Sequence, residues 1–232
     1  VYYRGVMLDP SPFAADESTW ITEGFTTYGE HLAGFDDRVA AQLRAFARQP
    51  NLSLTDWQGT IADYGASYSF MRYMAEREGP AFVRALAEQP LDGVAGINAT
   101  LAGLASLNSF ASLFDDWIVA GLLDGCSPQL PPYCFNGFDV AIEPTPLTGS
   151  LPLVGSAEVV DYGAVYLDFP ATPSLGAFQA VVDGETGAPL QAALVSWDSQ
   201  GLTVPAVTRL DLANQAVGGT VTGPAGYDRH TL

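Results

Sequence analysis

The sequence predicts an α+β chain in two parts, a helical part over 1–137 and a β-rich, antiparallel sandwich-like part over 138–232. Three observations carry this. Apolar residues recur at helical spacing as far as Leu122, and the pattern changes after Phe138 to short alternating runs broken by Pro, Gly, Asp and Ser. Between them, Glu143 to Gly155 is rich in Pro, Thr and Gly, as a boundary between domains is.

The elements follow in order. Residues 1–15 open with Tyr2, Tyr3, Val6, Met7 and Leu8 and break at Pro10 and Pro12, which reads as the end of one element and a loop. Asp16 or Ser18 can cap the next helix, which Gly34 closes. On it Trp20, Glu23, Thr27 and His31 share one face. A second helix is expected from Asp36 to Arg48 on Val39, Leu43 and Phe46, and a third from Ile61 to Arg77 on Tyr64, Tyr68, Met71 and Met74. Glu78-Gly79-Pro80 stops the third, and Pro80 opens a fourth through Leu86. A weaker helix spans about Val94 to Leu104, and the last runs from Phe110 to Leu123. Strands are expected over Val159–Phe169, Phe178–Val182, Leu190–Trp197, Leu202–Leu212 and Val217–Thr222. Several short strands of this kind predict a sandwich or part of one.

Composition excludes some functions. The net charge is −17 and all nine cations are Arg. Nucleic-acid binding, which rests on clustered basic residues, is therefore not expected. Only 15% of residues are charged and 48% are hydrophobic, so the acidity belongs to the surface of a folded protein and not to a disordered tail. No apolar run nears the roughly 20 residues that span a bilayer, so no membrane insertion is expected. The chain opens on Val-Tyr-Tyr-Arg and not on a leader, which reads as a fragment or a processed chain. Cys126 and Cys134 flank a Pro-rich loop and read as a small disulfide of an exported protein, the alternative being two half-buried thiols.

The stretch Trp20-Ile-Thr-Glu23-Gly24-Phe-Thr-Thr-Tyr28-Gly-Glu30 resembles the W-x-x-E-G segment of the gluzincin zinc metallopeptidases. Two later segments resemble the same family in the same order. They are Tyr64-Gly-Ala-Ser-Tyr68-Ser-Phe-Met-Arg-Tyr73-Met-Ala-Glu-Arg77, as in the helical half of exported bacterial members, and Phe110-Ala-Ser-Leu-Phe114-Asp-Asp-Trp117, as in the closing helix. The resemblance covers about residues 13–124. It implies that the first part is the helical C-terminal half of a zinc metallopeptidase domain in a secreted or cell-surface, bacterial protein. The cofactor implied is zinc, the substrate a peptide or protein, and the reaction hydrolysis of a peptide bond by zinc-activated water.

In that family two His of H-E-x-x-H and a downstream Glu hold the metal, leaving one position open for water. Glu23 matches the downstream Glu. H-E-x-x-H itself is absent from this sequence, whose only His are His31 and His230. The expectation is that an N-terminal fragment just upstream of Val1 carries it. His31 lies about 12 Å along the helix from Glu23 at 1.5 Å per residue, too far to share one ion, and is read as structural or as an outer partner of the site. Glu30 is read either as an outer carboxylate or as solvated. Tyr64 and Tyr68 are candidate catalytic hydroxyls for the oxyanion, against the plainer reading of tyrosines at helical spacing as core. Asp115-Asp116 reads as a solvated face. The sequons at Asn51 and Asn98 carry no expectation in a bacterial protein. Without H-E-x-x-H upstream, the same scaffold reads as a pseudopeptidase, a binding or structural module. Glycan binding through Trp197, Tyr162 or Tyr166 has no motif behind it.

Overall fold

The computed structural model of the chain describes residues 17–124, 129–149, 152–170, 178–184, 189–198, 203–210, 219–223 and 226–232. Its contacts divide it into two units, one running to Glu143 and taking in Val159–Ala164, the other made of Pro144–Glu158 and Val165–Leu232. The first is helical and the second β-rich, so the chain is of mixed α and β class.

Unit one contains α1 (Thr19–Leu32), α2 (Asp36–Arg48), α3 (Ile61–Glu78), α4 (Pro80–Ala87), α5 (Gly93–Gly103) and α6 (Phe110–Leu123). Local chemistry fixes the ends. Ser18 is the N-cap of α1, but its side chain makes no capping bond. Glu17 does the work instead, its Oε1 accepting from the amides of Ser18 and of Gly93 at the start of α5, both at 2.9 Å. Asp16, the other candidate cap, lies outside the described residues. At the far end Gly34 has φ +86°, its amide bonds to the His31 carbonyl, and the Phe35 amide reaches back to Glu30. These two bonds form a Schellman motif, which needs a residue that tolerates the left-handed region. Thr60 and Asp63 form a reciprocal capping box on α3, and Ser109 and Ser112 form one on α6.

The helices bury an aromatic core. The Phe70 ring meets Trp20, Phe110, Phe114 and Trp117, and Phe46 stacks on Trp117 at 5.3 Å and 4°. α3 is central: Tyr68, Phe70, Met71, Tyr73 and Met74 are all buried, and both α1 and α2 pack along it. Small residues set these crossings. A Cβ at Gly24 would lie 2.9 Å from the Ser67 carbonyl oxygen, and one at Gly65 would overlap the Gln42 carbonyl on α2.

The run Val159–Phe169 differs from its expected strand. Only Leu167–Pro170 is extended, while Tyr162 turns at φ +50° and packs its ring on Phe110 and Phe114. The Tyr162 carbonyl accepts from the Leu54 amide, so this stretch belongs to the helical unit. Residues beyond 137 also continue that unit: Val140 and Ile142 are buried, and the Val140 amide donates to Asp124 Oδ1 at 2.6 Å.

Unit two holds β1 (Thr145–Pro146), β2 (Leu167–Pro170), β3 (Phe178–Val182), β4 (Ala192–Trp197), β5 (Ala206–Leu210), β6 (Gly219–Gly223) and β7 (Arg229–Thr231). Five form a mixed sheet in the order β1-β2-β7-β4-β5, in which only β1 and β2 run parallel; β3 and β6 form a separate antiparallel pair. The parallel pair departs from the wholly antiparallel arrangement expected. The two sheets share a core in which Leu194 and Leu210 meet Phe169 of the larger sheet and Phe178, Ala180 and Val182 of β3. β7 carries Arg-His-Thr, with none of the apolar alternation that marks a strand in a sequence.

The glycine contacts give a measurable expectation. Gly65→Ala should cost about 1–3 kcal/mol, because α2 and α3 must separate to admit the methyl. Gly29→Ala, where nothing lies within 4 Å, should gain roughly 0.5–1 kcal/mol of helix stability. Urea unfolding followed at 222 nm checks both, and equal shifts would contradict the close crossing.

Candidate functional site

The site starts from α1. Trp20, Ile21, Gly24 and Thr27 are buried against the rest of the unit, which leaves Glu23 half-buried beside the Gly24 crossing. No hydrogen-bond or ion-pair partner for the Glu23 carboxylate lies among the described residues.

Glu30 and His31, further along α1, are engaged with other helices. Glu30 Oε1 pairs with Arg38 of α2 at 3.0 Å, beside an open groove of about 670 Å³ lined by Glu30, Gly34, Phe35, Asp37 and Arg38. His31 Nε2 lies 2.8 Å from Arg72 Nη1 on α3. An arginine N–H only donates, so Nε2 accepts and the imidazole proton sits on Nδ1.

Arg72 is the hub of this second cluster. Its Nη1 also donates to the Tyr68 hydroxyl at 3.0 Å, Nε donates to Glu76 at 3.1 Å, Nη2 donates to the Asn136 carbonyl at 2.7 Å, and the guanidinium lies 4.3 Å over the Phe138 ring. Glu76 completes the circuit by accepting from the Asn136 amide at 2.8 Å. Burial works against the Arg72 charge, but the bonds to Tyr68 and Glu76 outweigh it and hold its pKa above the ordinary value. One turn on, Arg77 donates to the carbonyls of Pro131 and Cys134, and the Tyr73 hydroxyl to that of Pro132. The same helix therefore fastens the segment 131–138 along one face. Cys134 is disulfide-bonded; Cys126, the chain's other cysteine, lies outside the described residues.

The expected site residues thus divide. Tyr68 is 1% exposed and its hydroxyl accepts from Arg72. Tyr64, one turn earlier, is half-buried with its ring edge-on to Trp57 at 4.8 Å. Glu23 joins neither cluster. The Arg72 network was not anticipated, although Tyr68, Arg72 and Glu76 at spacings of four were visible on one face of α3.

Glu23 offers a hard oxygen donor with free capacity, and so fits as one ligand of a metal ion such as zinc. Among the described residues no three His, Cys, Asp or Glu side chains cluster to hold a metal. A zinc site that includes Glu23 needs its other donors from outside those residues. No helix among the described residues is long and apolar enough to cross a membrane. No protein-family model matches the chain, and no curated protein matches it.

Arg72→Met keeps much of the side-chain volume and removes every donor of the hub. It should cost about 3 kcal/mol, as the loss of one partner of a buried ionic network does, and should speed amide exchange at Asn136. Arg72→Lys should recover less than half, because an ammonium lacks the planar fork. Unchanged stability and exchange in Arg72→Met would contradict the hub.

Proposed function

We propose that the chain is the C-terminal portion of an exported zinc metallopeptidase, comprising the helical half of its catalytic domain and a sandwich-like β unit. The observation that carries this reading is Glu23: a half-buried carboxylate without a partner among the described residues, on a helix that Gly24 seats against α3. It stands in the W-x-x-E-G segment that resembles the gluzincin peptidases. In this reading Glu23 is the third protein ligand, and the two His come from an H-E-x-x-H segment outside this sequence.

Zinc, when bound, supplies the Lewis acidity for hydrolysing the peptide bond of a peptide or protein substrate. This chain's residues do the rest of what it can contribute. Glu23 supplies negative charge and a fixed donor. Trp20 and Ile21, buried on either side of the same turn, hold α1 in place so that the carboxylate does not swing. Of the two candidate tyrosines we assign the oxyanion role to Tyr64, which keeps part of its ring exposed. The Tyr68 hydroxyl is buried and already accepts from Arg72, which suits a positioning role. Export is supported by the disulfide at Cys134, since such bonds persist in oxidising compartments.

Glu23→Gln in the full-length protein tests the reading. It should lower zinc content, measured by elemental analysis, and reduce proteolysis by about tenfold to a hundredfold or more, since disturbing even the partners of metal ligands costs that much. Full zinc occupancy with unchanged proteolysis would overturn the ligand assignment. A full-length protein with neither zinc nor proteolysis would make the scaffold a binding module.

A further inference from the structure

β7 is the strand that joins the two halves of the larger sheet, with β1 and β2 on one side and β4 and β5 on the other. Its side chains are polar, and each is tied to a neighbour. On one face Arg229 Nε donates to Asp168 Oδ1 of β2 at 3.3 Å, and the Thr231 hydroxyl donates to the same oxygen at 3.2 Å. The Trp197 indole of β4 donates to Thr231, while Arg229 lies 5.0 Å over the Trp197 ring. On the other face sits His230, 2% exposed, with Nδ1 at 2.8 Å from the Ser196 hydroxyl of β4. Phe169 of β2 stacks on its ring at 5.7 Å, and Phe178 of β3 closes over it at 4.5 Å. Phe178 in turn lies against Gly223 of β6, where any Cβ would collide with its ring.

We propose that this unit carries an acid-sensitive clasp, in which protonation of His230 expels β7 from between β2 and β4 and opens the sheet. The charged and titratable groups around the imidazole are few. Asp168 stands on β2, Arg229 precedes it on its own strand and Asp228 just before that strand begins, and Asp198 follows β4. Neither Ala192–Trp197 of β4, Phe178–Val182 of β3 nor Gly219–Gly223 of β6 carries a charge. Asp168 is already committed to Arg229 and Thr231, so little of its charge is left to offset an imidazolium held between two phenyl rings.

Burial accordingly holds the His230 pKa below its ordinary value, against the smaller pull of Asp168 and Asp228. An imidazole released to solvent takes up its proton near pH 6.5. Below that pH the open state binds more protons than the closed one, so closure weakens as pH falls, by up to tenfold per pH unit for one group. Above it the clasp is at full strength. β7 is suited to act as the moving part, since it is only three residues long and its loss leaves two separate strand pairs.

Hydrogen exchange tests the clasp in the intact chain. After correction for the intrinsic pH dependence, protection of the amides at 229–232 should fall about tenfold between pH 7.5 and 5.0, while α3 keeps its protection. His230→Phe retains the ring packing and should abolish that fall, whereas Asp168→Asn should leave its pH dependence in place. Equal protection at both pH values, or the same fall in His230→Phe, would overturn the proposal. Should His230→Phe fail to fold, NMR titration of the wild-type imidazole decides: a midpoint at or above 6.5 contradicts the clasp, and a lower one coinciding with the loss of β7 protection supports it.

Discussion

The helical unit depends on how closely α1 can approach α3. Gly24 sits where a methyl group would lie 2.9 Å from the Ser67 carbonyl oxygen, and Gly65 lets α2 approach the same helix as closely. Two helices thus touch α3 through backbone, and the aromatic rings of Trp20, Phe46, Phe70, Phe110 and Trp117 fill the space beside those contacts. The consequence for chemistry is directional. With Trp20, Ile21 and Thr27 turned inward, Glu23 is held half-buried at the margin of the core.

The basic residues show what the acidic composition leaves for cations to do. The chain has nine arginines and no lysine. Arg72 bonds at once to a hydroxyl, a carboxylate and a carbonyl and Arg77 to two carbonyls in the first unit, while in the second Arg229 grips both oxygens of the Asp168 carboxylate. A planar fork with five N–H groups can do this, and a single ammonium cannot do it as well. In the helical unit the effect is to lay segment 131–138 along α3 beside Tyr68 and His31. In the β unit it is to stitch β2 to β7 across a strand with no apolar residues.

The helices were legible because their signals are local. Val39, Leu43 and Phe46 gave the bounds of α2, and Gly34 marked the end of α1, where its positive φ completes a two-bond motif. The strands were less legible because tertiary contacts override alternation. Val159–Phe169 alternates well enough to read as a strand, yet Tyr162 finds a better place against Phe110 and Phe114. β7 gave no signal at all, since Arg229 and Thr231 are held by partners 34 or more residues away in the chain. For the candidate site, geometry and resemblance contributed different things. The resemblance singled out Glu23 as a ligand; the structure contributes its half-burial and its want of a partner among the described residues. His31 was set aside on distance along the helix, and its bond to Arg72 gives it a structural occupation instead.

The central claim is that Glu23 is a metal ligand, and the most direct measurement is a crystal structure of the full-length protein with anomalous data collected on either side of the zinc absorption edge. The account predicts an anomalous peak about 2.0–2.2 Å from a Glu23 carboxylate oxygen, with two histidine nitrogens from outside this sequence completing the protein ligands. A zinc ion bound elsewhere, with the Glu23 carboxylate turned to solvent or paired with an arginine, would contradict it.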